Sequence, residues 1–285
     1  MLPCHAVKRD IISGGEILSQ IDLCATIVAA TAISDKELGM VSRAMNEVEF
    51  KEAVRVGDVL SCYGTVAHVG RTSVTVSLEV EVLRRKKIIK VTEATAVLVA
   101  VDENGRATPI NGERNIKAAA INDDKHGCSS PVSVRPFFFP APAKPETILA
   151  ASINMPREGD RIIALKKMMM PYETNGMGKI FGGRLMACME GAGSFLAEQA
   201  CDNPELEACV TRYMDKIEFR QPVEVNDILS CYGVLTRIGK TSVSVHVEAE
   251  VERLGQVIPV TSASLVFVAV NQLGAKIPVR GAVLI

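Results

Sequence analysis

One segment of the first half of the chain recurs almost unchanged in the second half. DVLSCYGTVAHVGRTSVTVSLEVEV, residues 58–82, returns as DILSCYGVLTRIGKTSVSVHVEAEV, residues 227–251. GGEILSQIDLCATIVAA (14–30) and GGRLMACMEGAGSFLAE (182–198) correspond in the same way. Two copies of about 110 residues each predict two domains of similar fold, because a solenoid needs several short repeats. Only the differences between the copies can make one half act differently from the other.

Each copy predicts one buried helix followed by an antiparallel sheet. The stretch that begins with Gly-Gly is apolar on nearly all sides, which is typical of a helix surrounded by protein. In TSVTVSLEVEV the apolar residues from Val74 to Val82 alternate with polar ones, as in a strand with one buried face. Short turns at 56–58 and 102–105 join consecutive strands and favour antiparallel pairing. The predicted class is α+β: two domains, each an antiparallel sheet wrapped around a long central helix.

The repeat also predicts where the domains begin and end. Residues 1–112 form the first domain and 161–285 the second. Residues 113–160, which contain RPFFFPAPAKPE, are Pro-rich and are interpreted as a linker. Residues 161–170 predict a first strand in the second domain. The first copy has no counterpart, so either that strand is missing or the linker supplies one.

Composition argues against several kinds of partner. The formal net charge is −1 and Trp is absent, which disfavours binding to nucleic acid or to an anionic membrane. No apolar run approaches the ~18 residues that a membrane span needs, and the first ten residues lack the apolar core of a secretory signal. Four of the eight cysteines, Cys24, Cys62, Cys188 and Cys231, lie in apolar stretches, as expected of reduced core residues in the cytoplasm. Cys and His do not cluster with metal-ligand spacing, so neither a metal nor another cofactor is predicted.

The clearest difference between the copies surrounds the loop before each Gly-Gly pair. In the second copy this loop reads PYETNGMGKIFGG (171–183), and Glu190 follows in the helix. In the first copy it reads PCHAVKRDIISGG (3–15), and Asp22 follows. Together with the V-x-V-G-D turn at 54–58 and the G-x-T-S-V segments at 70–74 and 239–243, this pattern resembles the hotdog-fold acyl-CoA thioesterases. Because the resemblance covers both copies, the chain resembles a tandem double-hotdog enzyme.

The resemblance implies that the copies pair and that each active site lies between them. One copy supplies a loop Asn and a helix N-terminus, and the other supplies a helix carboxylate. Asn175, Gly182 and Gly183 match the first set and Asp22 matches the carboxylate, which implies one complete catalytic site. The activity implied is hydrolysis of an acyl-CoA thioester to free CoA and a carboxylic acid.

These residue types suit that chemistry. Thioester hydrolysis builds negative charge on the carbonyl oxygen, which an N–H at a helix N-terminus can hold. Asn175 would add a hydrogen bond or orient a water, and Asp22 would act as general base or as nucleophile. In the reciprocal pair, Val7 faces Glu190. Val7 can offer no hydrogen bond, so this secondary site is expected to be degenerate.

Substrate binding and assembly follow from the same resemblance. CoA needs cations for its phosphates, and the candidate substrate-binding residues are two equivalent triplets, Arg71-Thr72-Ser73 and Lys240-Thr241-Ser242. The basic run at 84–87 is a further candidate, although it also fits a solvated turn. We expect a cytoplasmic homo-oligomer, a trimer of double-hotdog chains.

Structural roles are open for several of these residues. Asn175 precedes a Gly, and Asn-Gly is a common tight-turn signal. Asp22 lies in an apolar helix, where a charge needs a partner, and an ion pair with Arg43 or Arg212 would satisfy it. The Gly-Gly pair would also serve close helix packing alone.

Two other functions are compatible with the sequence. A hotdog enoyl-CoA hydratase or dehydratase would use a His with a carboxylate, and His5 is the nearby candidate. A non-catalytic acyl-CoA-binding protein would retain the pocket without turnover. Hydration of an enoyl-CoA, or tight binding without hydrolysis, would distinguish them.

Overall fold

The order of helices and strands repeats along the chain. The computed structural model describes residues 6–8, 10–33, 38–110 and 159–280. The first domain contains β1 (Ala6–Lys8), β2 (Ile11–Ile12), α1 (Gly14–Ala32), β3 (Gly39–Met45), β4 (Val48–Glu49), β5 (Val59–Val69), β6 (Ser73–Arg84) and β7 (Lys87–Val101). The second contains β8 (Arg161–Met168), a 3-10 helix (Pro171–Glu173), α2 (Gly182–Gln199), β9 (Ala208–Met214), β10 (Ile217–Glu218), β11 (Ile228–Ile238), β12 (Ser242–Arg253) and β13 (Gln256–Val270).

Each domain consists of an antiparallel sheet packed on its helix. The first sheet has the order β10-β3-β7-β6-β5 and the second β4-β9-β13-β12-β11-β8. Helix α1 packs on β3, β5, β6 and β7, and α2 packs mainly on β9, β11 and β12. This confirms the α+β class and the two hotdog domains expected from the sequence.

The apolar face of the longest strands covers each helix. In β6, Val74, Val76, Val80 and Val82 are fully buried, which confirms the alternation expected from the sequence. Among the described helices, α1 alone is long and apolar enough to cross a membrane. The expectation that no apolar stretch approaches that length is therefore wrong for α1. Its burial between the sheet and α2 accounts for the same apolarity.

The two domains exchange short strands. Strand β10 of the second domain pairs with β3 of the first, and β4 of the first pairs with β9 of the second. Beside these strands, the Arg43 guanidinium donates to the carbonyl oxygen of Phe219, and the Arg212 guanidinium donates to that of Phe50. The alternative that Arg43 or Arg212 pairs with Asp22 is therefore wrong, because both side chains bind backbone of the opposite domain.

The central helices pack against each other through glycine. A Cβ on Gly15 would lie 2.8 Å from Cα of Ala187, and a Cβ on Gly183 would lie 2.8 Å from Cα of Ser19. These two contacts occupy equivalent positions in the two copies, so a pseudo-two-fold axis relates the helices. The first turn of each helix therefore lies beside the middle of the other.

The sheets differ at one edge. Strand β8 pairs with β11, which confirms the first strand expected in the second domain. Within the described ranges, no strand pairs with the equivalent outer edge of β5. The linker at 113–160 lies outside the described residues except for 159 and 160, so its boundaries stay a prediction.

Candidate active site

The carboxylate of α1 meets the first turn of α2 at the domain interface. Asp22 is buried, with 1% of its surface exposed. Its Oδ2 accepts a hydrogen bond from the Gly183 N–H at 2.7 Å, and its Oδ1 accepts one from the Ser42 hydroxyl at 2.5 Å. Two of the predicted catalytic positions, far apart in the sequence, are therefore in direct contact.

Small residues at the start of α2 make this contact possible. A Cβ on Gly182 would lie 3.1 Å from Oδ2 of Asp22 and 3.1 Å from Cβ of Ser42. The residue before the helix is Phe181, whose side chain makes no capping hydrogen bond. Because the first N–H groups of a helix have no intrahelical acceptor, the Gly183 N–H is available to groups at the interface.

Burial determines the acidity of the Asp22 carboxyl group. It raises the pKa of Asp22 to about 6, against the hydrogen bonds from Ser42 and Gly183, which lower it. A carboxylate with a pKa near neutral pH suits proton transfer at the pH of most cells. Asp22 has the properties of a general base.

The reciprocal arrangement, in which the carboxylate of α2 meets the first turn of α1, is also present. Glu190 is buried, its Oε2 accepts from the Ser13 hydroxyl at 2.7 Å, and its Oε1 accepts from the Thr211 hydroxyl. Burial raises the pKa of Glu190, opposed by these hydroxyls and by the N–H groups of Gly15 and Gly14. The second carboxylate therefore also faces a helix N-terminus across the interface.

A serine distinguishes the reciprocal arrangement from the first. Ser13 precedes α1, and its Oγ accepts a hydrogen bond from the Gly15 N–H at 3.1 Å while its hydroxyl donates to Glu190. The equivalent position before α2 is Phe181, which does not cap its helix. The N–H of Gly15, the counterpart of Gly183, is thus engaged by a hydroxyl of its own domain in addition to Glu190.

Asn175 stabilises the loop that precedes α2. Its Oδ1 accepts hydrogen bonds from the N–H groups of Met177 (2.9 Å) and Lys179 (3.2 Å). Thr174 pairs with Ile180 across this turn. Asn175 thus has the turn role that the Asn-Gly sequence indicates. Among the described residues, no hydrogen bond joins it to Asp22 or Gly183. Its catalytic role stays a prediction.

The described part of the first copy's loop shares one strand pairing with the second copy. Ala6 pairs with Ile12, the register that Thr174 and Ile180 have in the second copy. Val7 therefore occupies the position equivalent to Asn175, although its side chain and the whole of His5 lie outside the described residues.

The predicted CoA-binding triplets lie at the turns that enter β6 and β12. The carbonyl oxygens of Arg71 and Lys240 accept hydrogen bonds from Ile110 and Val279, and those of Thr72 and Thr241 from Ala100 and Ala269. Ser73 pairs with Val99, which pairs with Val41 beside Ser42, so two strand spacings of about 4.8 Å separate it from β3. Ser242 has the corresponding place opposite Val268. None of the six forms a hydrogen bond or an ion pair with Asp22, so their role stays a prediction.

The basic run at 84–87 is partly structural. Arg84 forms an ion pair with Asp58, with 2.6 Å between Nη2 and Oδ2. Arg85 and Lys86 have φ angles of 49° and 66° and form the hairpin turn into β7. Asp58 also stabilises its own V-x-V-G-D turn, because its Oδ2 accepts a hydrogen bond from the Arg55 N–H at 2.8 Å.

Three residues of this interface were not identified from the sequence: Ser42, Thr211 and Ser13. Ser42 and Thr211 occupy equivalent positions in GMVSRAM and ACVTRYM, so a hydroxyl retained at the same position of both strands was the available signal. Ser13 resembles an ordinary helix cap in the sequence. Its contact with Glu190 depends on the packing of the other domain.

Fold and interface define a double-hotdog protein in which a buried carboxylate faces a helix N-terminus. Residues 10–89 and 177–258, more than half of the chain, match the family model of the Thioesterase superfamily. The chain belongs to the Thioesterase superfamily.

Curated relatives match over the length of a single copy. The acyl-CoA thioester hydrolase YciA of Escherichia coli is 34% identical over 131 residues, 44% of this chain and 94% of that protein. An uncharacterized acyl-CoA thioester hydrolase of Haemophilus influenzae is 32% identical over 123 residues, 41% of this chain and 77% of that protein.

A solved structure matches nearly the whole chain. An acyl-ACP thioesterase from Bacteroides thetaiotaomicron has a TM-score of 0.57 at 14% identity and covers 93% of this chain and 94% of its own. At that identity the likeness establishes the tandem fold alone.

Proposed function

We propose that this protein hydrolyses acyl-CoA thioesters to free CoA and a carboxylic acid. The observation that carries the proposal is the hydrogen bond between the Asp22 carboxylate and the Gly183 N–H at the domain interface. A base and an oxyanion donor side by side are the two groups that this hydrolysis needs. The names of the E. coli and H. influenzae relatives support acyl-CoA as the substrate class.

In the proposed mechanism the substrate takes over the Gly183 N–H. The thioester carbonyl oxygen accepts that hydrogen bond, and the Oδ2 of Asp22 becomes free to receive a proton from water. The water oxygen attacks the carbonyl carbon, the C–S bond breaks, and the proton passes from Asp22 to the CoA sulfur. The N-terminal end of α2 stabilises the charge on the carbonyl oxygen.

Glycine and asparagine have supporting roles in this proposal. Gly182 leaves room for the thioester beside Asp22, because a side chain there would contact the carboxylate. The Asn175 Oδ1 is engaged by the turn, which fixes the amide and leaves its NH2 group as the donor to substrate or water.

We further propose that only this arrangement is competent. Val7 replaces the loop amide in the reciprocal one, and the Ser13 hydroxyl accepts from the N–H that would stabilise the oxyanion. Loss of one oxyanion donor typically costs about 10²–10³ in rate. Glu190 would then be a structural carboxylate in a decayed site. At the competent site, Arg71 or Lys240 would bind the phosphates of CoA.

The experiment that tests this function is release of CoA from a panel of acyl-CoA thioesters of increasing chain length. We expect turnover with at least part of the panel. Hydration of an enoyl-CoA without CoA release, or tight binding of acyl-CoA without turnover, would overturn the proposal in favour of a hydratase or of a binding protein.

The rate of hydrolysis should fall in acid. Burial raises the pKa of Asp22 to about 6, and only the carboxylate can accept a proton from water. We therefore expect kcat/KM to be level at higher pH, to halve near pH 6, and to fall about tenfold for each further unit below it. Steady-state measurement of kcat/KM in buffers that cover the whole pH range checks this.

The phosphates of CoA also ionise near that pH, which calls for a control. A thioester of the same acyl group with pantetheine, which has no phosphate, should give the same acid limb. A limb that disappears with this substrate would assign it to CoA instead of Asp22.

We propose that the protein is a cytoplasmic homotrimer. The six cysteines within the described ranges are free thiols, which supports a reducing compartment. Exposed apolar side chains such as Val59, Ile88 and Val257 support burial against further copies. Sedimentation equilibrium should give three times the 30.6 kDa of one chain, and a monomer mass at micromolar concentration would contradict it.

A further inference from the structure

A strand hydroxyl orients the carboxylate of the proposed base. Ser42 lies in β3, where the pairing with β7 shifts register between Ser42 and Ala44. Ser42 itself lies opposite the fully buried Leu98, and directly opposed residues share one face of a sheet, so its side chain faces the buried side. The hydroxyl donates to Oδ1 of Asp22 at 2.5 Å, which is within the range of short hydrogen bonds to carboxylates.

The reciprocal arrangement repeats the contact with a different residue. Thr211 occupies the equivalent position in β9, and its hydroxyl donates to Oε1 of Glu190. The side chains differ in shape and the carboxylates differ in length, while the hydroxyl and its role as donor are common to both. Packing alone would be satisfied by an apolar residue, as at Met40 and Cys209, which lie two residues earlier on the same buried faces.

We propose that Ser42 is a positioning residue for thioester hydrolysis, which fixes the Asp22 carboxylate so that Oδ2 faces the Gly183 N–H and the reacting water. This inference rests on the proposed function and extends it to a residue that contacts the base and not the substrate. When the substrate takes the Gly183 N–H, the Ser42 hydroxyl is the hydrogen bond that still holds the carboxylate.

The same contact links Ser42 to the ionisation of Asp22. Burial raises the pKa of Asp22, and the only groups that act against it are Ser42 and Gly183, among the residues that the structure describes. No charged side chain from α2 or from β3, β5, β6 or β7 in those ranges contributes, and Arg184 on α2 pairs with Glu173. Removal of the Ser42 hydroxyl should therefore raise the pKa of Asp22 further.

The test compares Ser42→Ala, Ser42→Thr and a matched control, Ser194→Ala. Ser194 is a buried serine whose hydroxyl donates to the Cys209 carbonyl oxygen at 3.3 Å and not to a carboxylate. For Ser42→Ala we expect kcat to fall about tenfold to a hundredfold with little change in KM, because the base is misoriented. The acid limb should move up by about one pH unit, the effect of losing one hydrogen bond to a charged group.

Ser42→Thr should restore most of the rate and the position of the limb, as a threonine hydroxyl serves Glu190 in the other copy. The Asp22 carboxyl carbon should be titrated by ¹³C NMR in wild type and Ser42→Ala, with its signal assigned by its loss in Asp22→Asn. This readout does not depend on turnover.

An unchanged Asp22 titration in Ser42→Ala would overturn the positioning role, even if the protein is an active thioesterase. Equal losses of rate in Ser42→Ala and Ser194→Ala, with an unmoved limb, would do the same. Absence of CoA release from wild type would instead overturn the proposed function, and the titration would still decide whether Ser42 controls Asp22.

Discussion

Replacing Asp22 by Asn is expected to lower kcat by about 10²–10⁴-fold, the usual contribution of a general base. The amide has nearly the same size, so the packing of α1 against α2 is retained, but it cannot accept a proton from water. Release of CoA from the best acyl-CoA of the panel measures the effect, and thermal unfolding verifies that the variant is folded.

Glu190→Gln provides the matched comparison. Glu190 is as deeply buried as Asp22, accepts a hydrogen bond from the hydroxyl at the equivalent strand position, and faces the equivalent helix N-terminus. If one site works, this variant keeps most of the wild-type rate. Equal losses in the two variants would mean that both sites work or that both carboxylates serve the fold, and the single-site proposal would fail.

The second large effect is expected at the contact between the helices. In Gly183→Ala the new Cβ would lie 2.8 Å from Cα and 3.1 Å from the carbonyl oxygen of Ser19, backbone atoms that cannot turn away. The helices must move apart, and overpacking of this kind typically costs about 1–3 kcal/mol. We expect a lower melting temperature and a loss of turnover, because the Gly183 N–H moves away from Asp22.

Gly191→Ala is the control for that experiment. Gly191 lies in the same helix, is exposed, and has no atom within 4 Å of a new Cβ. Alanine is favoured over glycine within a helix by about 0.5–1 kcal/mol, so this variant should melt slightly higher and keep its activity. Equal stability of Gly183→Ala and Gly191→Ala would contradict the close helix contact.

Much of the fold could be predicted from local patterns. The alternation in β6 gave the buried face correctly, because a strand places successive side chains on opposite faces whatever surrounds it. The α1 sequence is apolar on nearly all sides, which indicated a central helix because such a helix is stable only when protein surrounds it. Strand exchange between the sheets was not predicted, since β4 and β10 are two residues long and carry no pattern of their own.

The candidate site could be predicted only in part. Asp22 and Gly183 were identified through the resemblance to a family, and the structure brings them into contact. Asn175 has the alternative role that Asn-Gly indicated, since its Oδ1 is engaged within the turn. Ser42 and Ser13 were not identified, because a single hydroxyl in a strand or before a helix has many ordinary uses.

The sequence by itself determined that two similar α+β domains form, that each buries one helix, and that their loops differ at Asn175 and Val7. These properties follow from the periodicity of apolar residues, which depends on near neighbours in the chain, and from the recurrence of one pattern in both halves. Only the tertiary structure decided that Asp22 meets Gly183 and Ser42, and that Ser13 engages the reciprocal helix N-terminus. Those contacts join residues far apart in the chain, and their geometry is fixed by how closely two glycine-bearing helices pack.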